Sequence, residues 1–187
     1  MQDVPASILL HYDQLSDLVT QYRKKGKTIV LTQGSFDMLH IGHARYCATA
    51  KQHGDVLFVG VDSDEKIKKR KGPDRPIVPE EERLEMLTHL RYVDHVVLKP
   101  LNKPKWELLT LIRPDILIAT ADTYTKEQLQ ELKKYCGSVV VLEAMATTST
   151  SAKIRRVQLG VAKRISANIS EKLIKTIEEV LEELKNG

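Results

Sequence analysis

The feature that most constrains this chain is a repeated alternation of short β-branched runs with stretches of helical period. Residues 28–32 (TIVLT), 56–61 (VLFVGV), 95–98 (HVVL), 115–120 (DILIAT) and 138–142 (SVVVL) each read as a strand buried on both faces. Between them lie helices. One runs from about Gly42 to His53 and is closed by Gly54, and a short basic helix is followed by the loop KGPDRP. Pro79, with Glu80, Glu81 and Glu82 in the first turn, opens a third that reaches about Leu90. Residues 105–112 and 126–135 complete the set, the last stopped by Gly137. This order predicts an α/β fold: a Rossmann-like doubly wound sheet of about five parallel strands, with helices on both faces. Ligands of such sheets bind beyond the carboxyl ends of the strands, so motifs at those ends count most.

Both ends of the chain read as extra helices. Residues 7–25 place Ile8, Tyr12, Leu15, Val19 and Tyr22 on one face, with Gly26 as the stop. In the tail, 168–185, Ile169, Leu173, Ile177, Val180, Leu181 and Leu184 form a stripe, and Glu171 stands four before Lys175. The expected division is an N-terminal helix over 1–26, a core domain over 27–158 and a helical extension over 159–187. The tail stripe is expected to pack on the core or on a second subunit, which makes a homodimer the expected assembly.

Composition narrows the class. A chain of 187 residues, 42% hydrophobic and 29% charged, suits one soluble domain. No apolar run approaches the roughly 20 residues that span a membrane, and the first residues carry no signal-peptide pattern. Cys47 and Cys136 are the only cysteines and their spacing suggests no disulfide framework, so a cytoplasmic location is expected. The net charge of +4 permits phosphate-rich ligands without indicating nucleic acid. Lys66, Lys68, Lys69, Arg70, Lys71 and Arg75 crowd one segment, but no aromatics interleave them for base stacking. Phosphate capture by one or two of these lysines is the preferred reading.

The chemistry concentrates after the first strand, where the chain reads Gln33-Gly34-Ser35-Phe36-Asp37-Met38-Leu39-His40-Ile41-Gly42-His43. Gly34 permits a tight turn and close approach to a ligand. The helix that follows turns its free N–H groups and positive dipole end toward the turn, an anion site flanked by two histidines, with Gly42 leaving room between them. Such a site suits phosphoryl transfer. An attacking phosphate is already anionic, so positioning and charge stabilisation suffice. His40, His43 and Cys47 stand at helical spacing, yet no further ligand completes a metal set, and no metal site is expected. Asp37 and Asp94 each have an alternative as turn residues. Trp106, beside Lys103 and Lys105, reads as core, or else as the border of an acceptor site with Lys105 as a substrate contact.

GSFDMLHIGH resembles the G-[TS]-F-D-x-x-H-x-G-H signature of the cytidylyltransferase-like nucleotidyltransferases. AKQHGDVLFVGVDSD, KGPDRPIVPEEER and RYVDHVV resemble further segments of that family in the same order, and Thr150-Ser151-Ala152-Lys153-Ile154-Arg155 resembles its second signature. The resemblance covers roughly 28–157 and identifies 27–158 as a nucleotidyltransferase domain. It implies transfer of a nucleoside monophosphate from an NTP to a small phosphorylated acceptor, with release of pyrophosphate and with Mg²⁺ accompanying the nucleotide. His40, His43 and Lys71 are the implied catalytic residues. Gly34, Ser35, Phe36, Asp37, Gly42, Arg91, Asp122, Thr150, Ser151 and Arg155 are the implied nucleotide contacts, and Lys68 is an acceptor contact.

KGPDRPIVP and GVDSD are most similar to the adenylyltransferase domain that makes ADP-heptose, and archaeal-type FAD synthetases share the first stretch. RYVD is closer to cytidylyltransferases for glycerol phosphate and amino-alcohol phosphates. ATP is therefore preferred to CTP, and a sugar phosphate to FMN or a polyol or amino-alcohol phosphate. A nucleotide sensor on the same fold is the non-catalytic alternative. The chain departs from the family in two places. Ala119-Thr120-Ala121-Asp122-Thr123-Tyr124 stands where relatives carry glycines before the Asp. Met145 or Ala146 falls where relatives carry an Arg.

Overall fold

The computed structural model describes residues 6–120, 124–143, 145 and 150–186. Its strands are β1 (Ser7–Leu9), β2 (Ile29–Gly34), β3 (Val56–Asp62), β4 (His95–Lys99), β5 (Ile116–Thr120) and β6 (Ser138–Leu142). All pair in parallel, in the order β1-β4-β3-β2-β5-β6. The sheet has six strands where the sequence suggested about five. The five apolar runs account for β2 to β6.

The added strand corrects the reading of 7–25 as one helix. Ser7, Ile8 and Leu9 pair with His95, Val96 and Val97 along the edge of β4. A one-turn 3₁₀ segment, Tyr12–Gln14, then leads into α1 (Leu15–Lys24). The apolar stripe holds only from Tyr12 onward: Tyr12, Leu15 and Val19 are buried, while Ile8 is 40% exposed. Before Tyr12 the open hydrogen-bonding edge of β4 competes successfully with helical continuation.

The other helices of the first compact unit, Met1–Thr147, are α2 (Ile41–Lys51), α3 (Asp64–Lys71), α4 (Glu80–Thr88), α5 (Glu107–Ile112) and α6 (Lys126–Leu132). Every residue of β3 is buried, as a strand covered on both faces requires. Alternation along the strands divides the core in two. Ile29, Leu31, Phe58, Val97 and Leu117 face Leu15 and Val19 of α1, Leu108, Leu109 and Ile112 of α5 and Leu132 of α6. Val30, Leu57, Val59, Val61, Val96 and Ile118 face Tyr46, Cys47 and Ala50 of α2 and Leu84 and Leu87 of α4. Complete burial of each such side chain contributes about 1.5–3 kcal/mol. From β2 the chain winds through β3 to β4 on one side, and then returns to lay β5 on the other. The order of winding reverses between β2 and β5, the place where doubly wound sheets bind ligands.

The second compact unit, Thr148–Gly187, consists of α7 (Thr150–Asn186), one helix of 37 residues. Gly160, inside it, does not break it. Among the described residues, no helix is long and apolar enough to cross a membrane.

Candidate active site

β2 ends at Gly34, and α2 begins at Ile41 after six intervening residues. His40 caps α2 with extended backbone, φ −143° and ψ 172°. Its Nδ1 accepts from the amide of Gly42 at 3.0 Å, and His43 Nδ1 accepts from the amide of His40 at 3.3 Å. The two rings lie 4.1 Å apart between centroids. A ring nitrogen that accepts from an N–H carries no proton, so each neutral imidazole keeps its proton on Nε2. The helix mouth is capped by its own histidine, and what it presents as donors are two imidazole N–H groups fixed by the backbone. The Gly42 amide at this mouth is engaged by the His40 ring.

The turn between β2 and α2 is strained and densely bonded. Phe36 and Met38 both have φ of 50°, a left-handed conformation that costs a non-glycine residue energy and clusters at functional sites. The Phe36 ring is buried against the second core and against His43, 5.6 Å away between centroids. Gly34 makes room for that ring, since a Cβ there would stand 3.2 Å from Phe36 Cε2. The space that Gly34 leaves is therefore filled by Phe36, which packs as a core residue beneath the turn. Asp37 is also turned inward. Its carboxylate accepts from Arg75 Nε at 2.9 Å and from the amides of Ile77 and Val78 at 3.1 and 3.0 Å. Burial alone would raise this carboxyl. The Val78 and Ile77 amides and the Arg75 guanidinium outweigh it and hold the group below the usual carboxylate range. Asp37 thereby fastens the KGPDRPIVP loop to the turn.

Several residues that sequence reasoning did not single out build the rest. Arg83 of α4 is 1% exposed. Its Nη1 donates to the carbonyls of Ser35 at 2.5 Å and Asp62 at 2.9 Å, Nε to that of Val78 at 3.0 Å, and Nη2 to the Asp64 carboxylate at 2.7 Å. One buried guanidinium thus gathers the β2 turn, the end of β3, the start of α3 and the KGPDRPIVP loop. Ser35 Oγ accepts from Arg70 Nη2 at 2.7 Å. The same nitrogen lies 3.0 Å from Asp62 Oδ2, and Lys99 Nζ donates to Asp62 Oδ1 at 3.0 Å. Asp62 is buried, which raises its carboxyl, but Lys99, Arg70 and Lys66 prevail and lower it. Lys99 is itself pulled below the usual lysine range, first by burial, against the opposing pull of Asp62. The only sequence signal for Arg83 was its place in PEEER, and Asp62 and Lys99 are brought together by strand pairing alone.

The remaining candidates lie in other segments of the chain. Lys68 and Lys71 lie on the last turn of α3, which leads into the KGPDRPIVP loop. Partial burial, then the charges of Arg70 and Arg75, depress the Lys71 ammonium. Lys105 stands 4.5 Å above the Trp106 ring, in the segment that leaves β4. Arg91 is placed by the start of β4. It precedes the amino end of β4, at the end of the sheet opposite to Gly34, Asp62 and Lys99, and it leans on Tyr92 at 5.8 Å. Within one chain it does not join the histidine turn, because parallel pairing sends residues before a strand to the far edge. Asp122 lies outside the described residues. Thr150 and Ser151 open α7 in the second unit, their side chains outside the described residues, and Arg155 is exposed on the same helix. Among the described residues, no group of three His, Cys, Asp or Glu side chains is placed to hold a metal ion.

A parallel sheet with paired imidazoles at a helix mouth, beside its switch point, defines a class of α/β nucleotide-handling proteins. The profile described as cytidylyltransferase-like matches residues 31–179. The chain belongs to the cytidylyltransferase-like family of nucleotidyltransferases. Among its relatives is the bifunctional protein HldE of Syntrophotalea carbinolica, 38% identical over 148 residues, which cover 78% of this chain and 30% of that protein. HldE of a Nitratiruptor species is 38% identical over 145 residues, 77% of this chain and 31% of that one. The chain thus spans about 30% of the length of these curated relatives. Among solved structures, a lipopolysaccharide core biosynthesis protein from Thermoplasma volcanium superposes with a TM-score of 0.54 at 28% identity, over 64% of this chain and 97% of that one. Pantoate-beta-alanine ligase from Francisella tularensis, at 16% identity and a TM-score of 0.58 over 78% of this chain and 69% of that one, shares the fold.

Proposed function

We propose that this chain transfers AMP from ATP to a sugar phosphate and releases pyrophosphate. The observation that carries the reading is the interlocked His40–His43 pair, whose protons are fixed on Nε2 by backbone amides at the mouth of α2. An α-phosphate set against these donors gains charge stabilisation that needs no rearrangement as the reaction proceeds. An anionic oxygen of the acceptor phosphate attacks the α-phosphorus in line. The new P–O bond forms as the bond to the bridging oxygen breaks, and pyrophosphate leaves with that electron pair. No proton is removed from the nucleophile, so no general base is required.

Lys71, at the end of α3, is assigned to the leaving phosphates and Lys68 to the acceptor phosphate. Asp122, Thr150, Ser151 and Arg155 are assigned to the nucleotide on the family resemblance. Mg²⁺ is proposed to arrive with the nucleotide, held mainly by phosphate oxygens and water, a mode that requires no protein cage. ATP is the proposed donor because KGPDRPIVP and GVDSD are most similar to adenylyltransferase segments. The likeness to a protein of lipopolysaccharide core biosynthesis supports a sugar acceptor. The exposed stripe of α7, with Ile165, Ile169, Leu173, Ile177 and Leu181, is assigned to a second copy of the chain in a homodimer, which sedimentation would test.

The test of the reaction is pyrophosphate release by the purified chain with Mg²⁺, each of the four NTPs and a panel of sugar, polyol and amino-alcohol phosphates and FMN. Turnover with ATP and a sugar phosphate supports the proposal. Turnover only with CTP, or only with another acceptor class, replaces that part of it. Silence with every pair rejects it.

A further inference from the structure

α7 carries apolar residues at every fourth position along its middle. Val161, Ile165, Ile169, Leu173, Ile177 and Leu181 are each at least 50% exposed. Because a helical turn takes about 3.6 residues, a repeat of four draws a slanted ridge, the feature by which one helix interlocks with another. An apolar ridge of this length calls for a partner surface.

The charges of α7 are divided between its halves. Residues 150–170 include five basic side chains and no acidic one, whereas residues 171–186 include five glutamates against three lysines. The ridge and the division share one centre. About position 171, Ile169 mirrors Leu173, Ile165 mirrors Ile177 and Val161 mirrors Leu181. Lys163 and Arg164 mirror Glu179 and Glu178, and all four are exposed. Apolar positions reflect onto apolar ones, and these two positive positions onto negative ones. This is the self-complementarity that a two-fold contact demands, in which residue i meets j and j meets i.

We propose that α7 crosses α7 of a second copy in antiparallel orientation, with the two-fold axis beside position 171. Ridges of this type interdigitate at a crossing angle of about −50°. At the crossing, Ile169 packs against Leu173 of the second copy. About two turns further out, Lys163 and Arg164 come alongside Glu179 and Glu178 of the second copy. A parallel pair would bring like charges together at both places and would align the two helix dipoles. An anionic lipid surface would suit the basic half alone and would be repelled by the acidic half. A second copy answers both halves. The inference rests on the assignment of this stripe to a homodimer, and adds to it the axis and the orientation.

Sedimentation equilibrium of the full chain over about 1–100 μM reads the association, because a contact below the standard interface size is weak. Wild type is expected to dimerise, and the double variant Ile169→Asp, Leu173→Asp to stay monomeric. Two charge reversals at exposed positions keep the test usable if that variant misfolds. Lys163→Glu with Arg164→Glu, and Glu178→Lys with Glu179→Lys, should each raise the dimer Kd about tenfold. Combining all four should return it to within about threefold of wild type. In a parallel pair each reversal exchanges like charges for like charges and leaves Kd unchanged. A monomeric wild type rejects the homodimer and this inference together. A dimer that survives Ile169→Asp, Leu173→Asp keeps the homodimer and removes it from α7. A dimer lost in that variant but indifferent to the reversals, or not restored by their combination, keeps the α7 contact and rejects the antiparallel orientation. Monomers that float with vesicles of phosphatidylglycerol and phosphatidylcholine, and cease to do so after Ile169→Asp, Leu173→Asp, give the ridge to a membrane and overturn the proposal.

Discussion

The backbone amide of His40 donates to the ring of His43 at 3.3 Å, so the second imidazole is aimed by the residue that carries the first. His43→Ala removes a charge-stabilising donor and should lower turnover by ~10²–10³. His43→Asn keeps an acceptor for the His40 amide and loses the outward donor. It should match wild type in melting temperature and the alanine variant in rate. A nucleotide sensor has no turnover to lose and would show only weakened nucleotide binding. Full pyrophosphate release by His43→Asn would show that the pair is a cap and nothing more.

Arg83 is the buried tie between four segments, and its removal strands the acceptors it serves. Arg83→Met should cost about 3–5 kcal/mol, the range for breaking a buried ion pair from one side. Arg83→Lys should recover only part, since an ammonium cannot reproduce the fork. Urea unfolding measures both. A loss under about 1 kcal/mol for Arg83→Met would mean that these segments hold together without it.

His95 supplies a pH signature remote from the site. Its Nδ1 is bonded to Ser7 Oγ at 2.5 Å and its Nε2 to the Tyr22 hydroxyl at 2.8 Å. Burial, before any charge effect, lowers its pKa below the ordinary 6.5. The unfolded chain therefore takes up this proton first as pH falls, and stability should decline from about pH 6.5 downward until the folded-state value is reached. His95→Phe should flatten that slope. Urea midpoints between pH 5 and 7.5 that do not differ in slope would contradict this account.

Acid should act later on Asp37 and Asp62. Both carboxyls are held below their ordinary value, so their contribution is complete above about pH 4 and is lost as pH falls through the folded values. Asp37→Asn gives up the Arg75 pair and should remove part of the steepness of the acid limb. It should also expose the 72–78 loop to limited proteolysis at neutral pH. Cleavage there at the wild-type rate would show that the loop is held by other means.

The sheet was legible because each of five strands is a β-branched run too short for a helix and bounded by turn residues. β1 was not. Ser7, Ile8 and Leu9 continue a helical stripe in sequence, and only the free edge of β4, more than eighty residues away, makes them a strand. The histidine turn was legible because its residues are consecutive, whereas the orientation of Phe36 and Asp37 depends on partners from α2 and the KGPDRPIVP loop. The position of Arg91 follows from topology, since a residue just before β4 lies at the amino end of that strand. The Asp62–Lys99 pair left no local trace at all, because its members meet across two adjacent strands.

β1 also bears on how this molecule behaves at high concentration. Without it, β4 would offer a full row of unpaired amides and carbonyls to any passing extended chain. A three-residue ribbon covers that row, and its own outer rim is too short to template further growth. The N-terminal segment thereby guards this one edge of the sheet against pairing with another chain, quite apart from any chemistry at the other end of the strands.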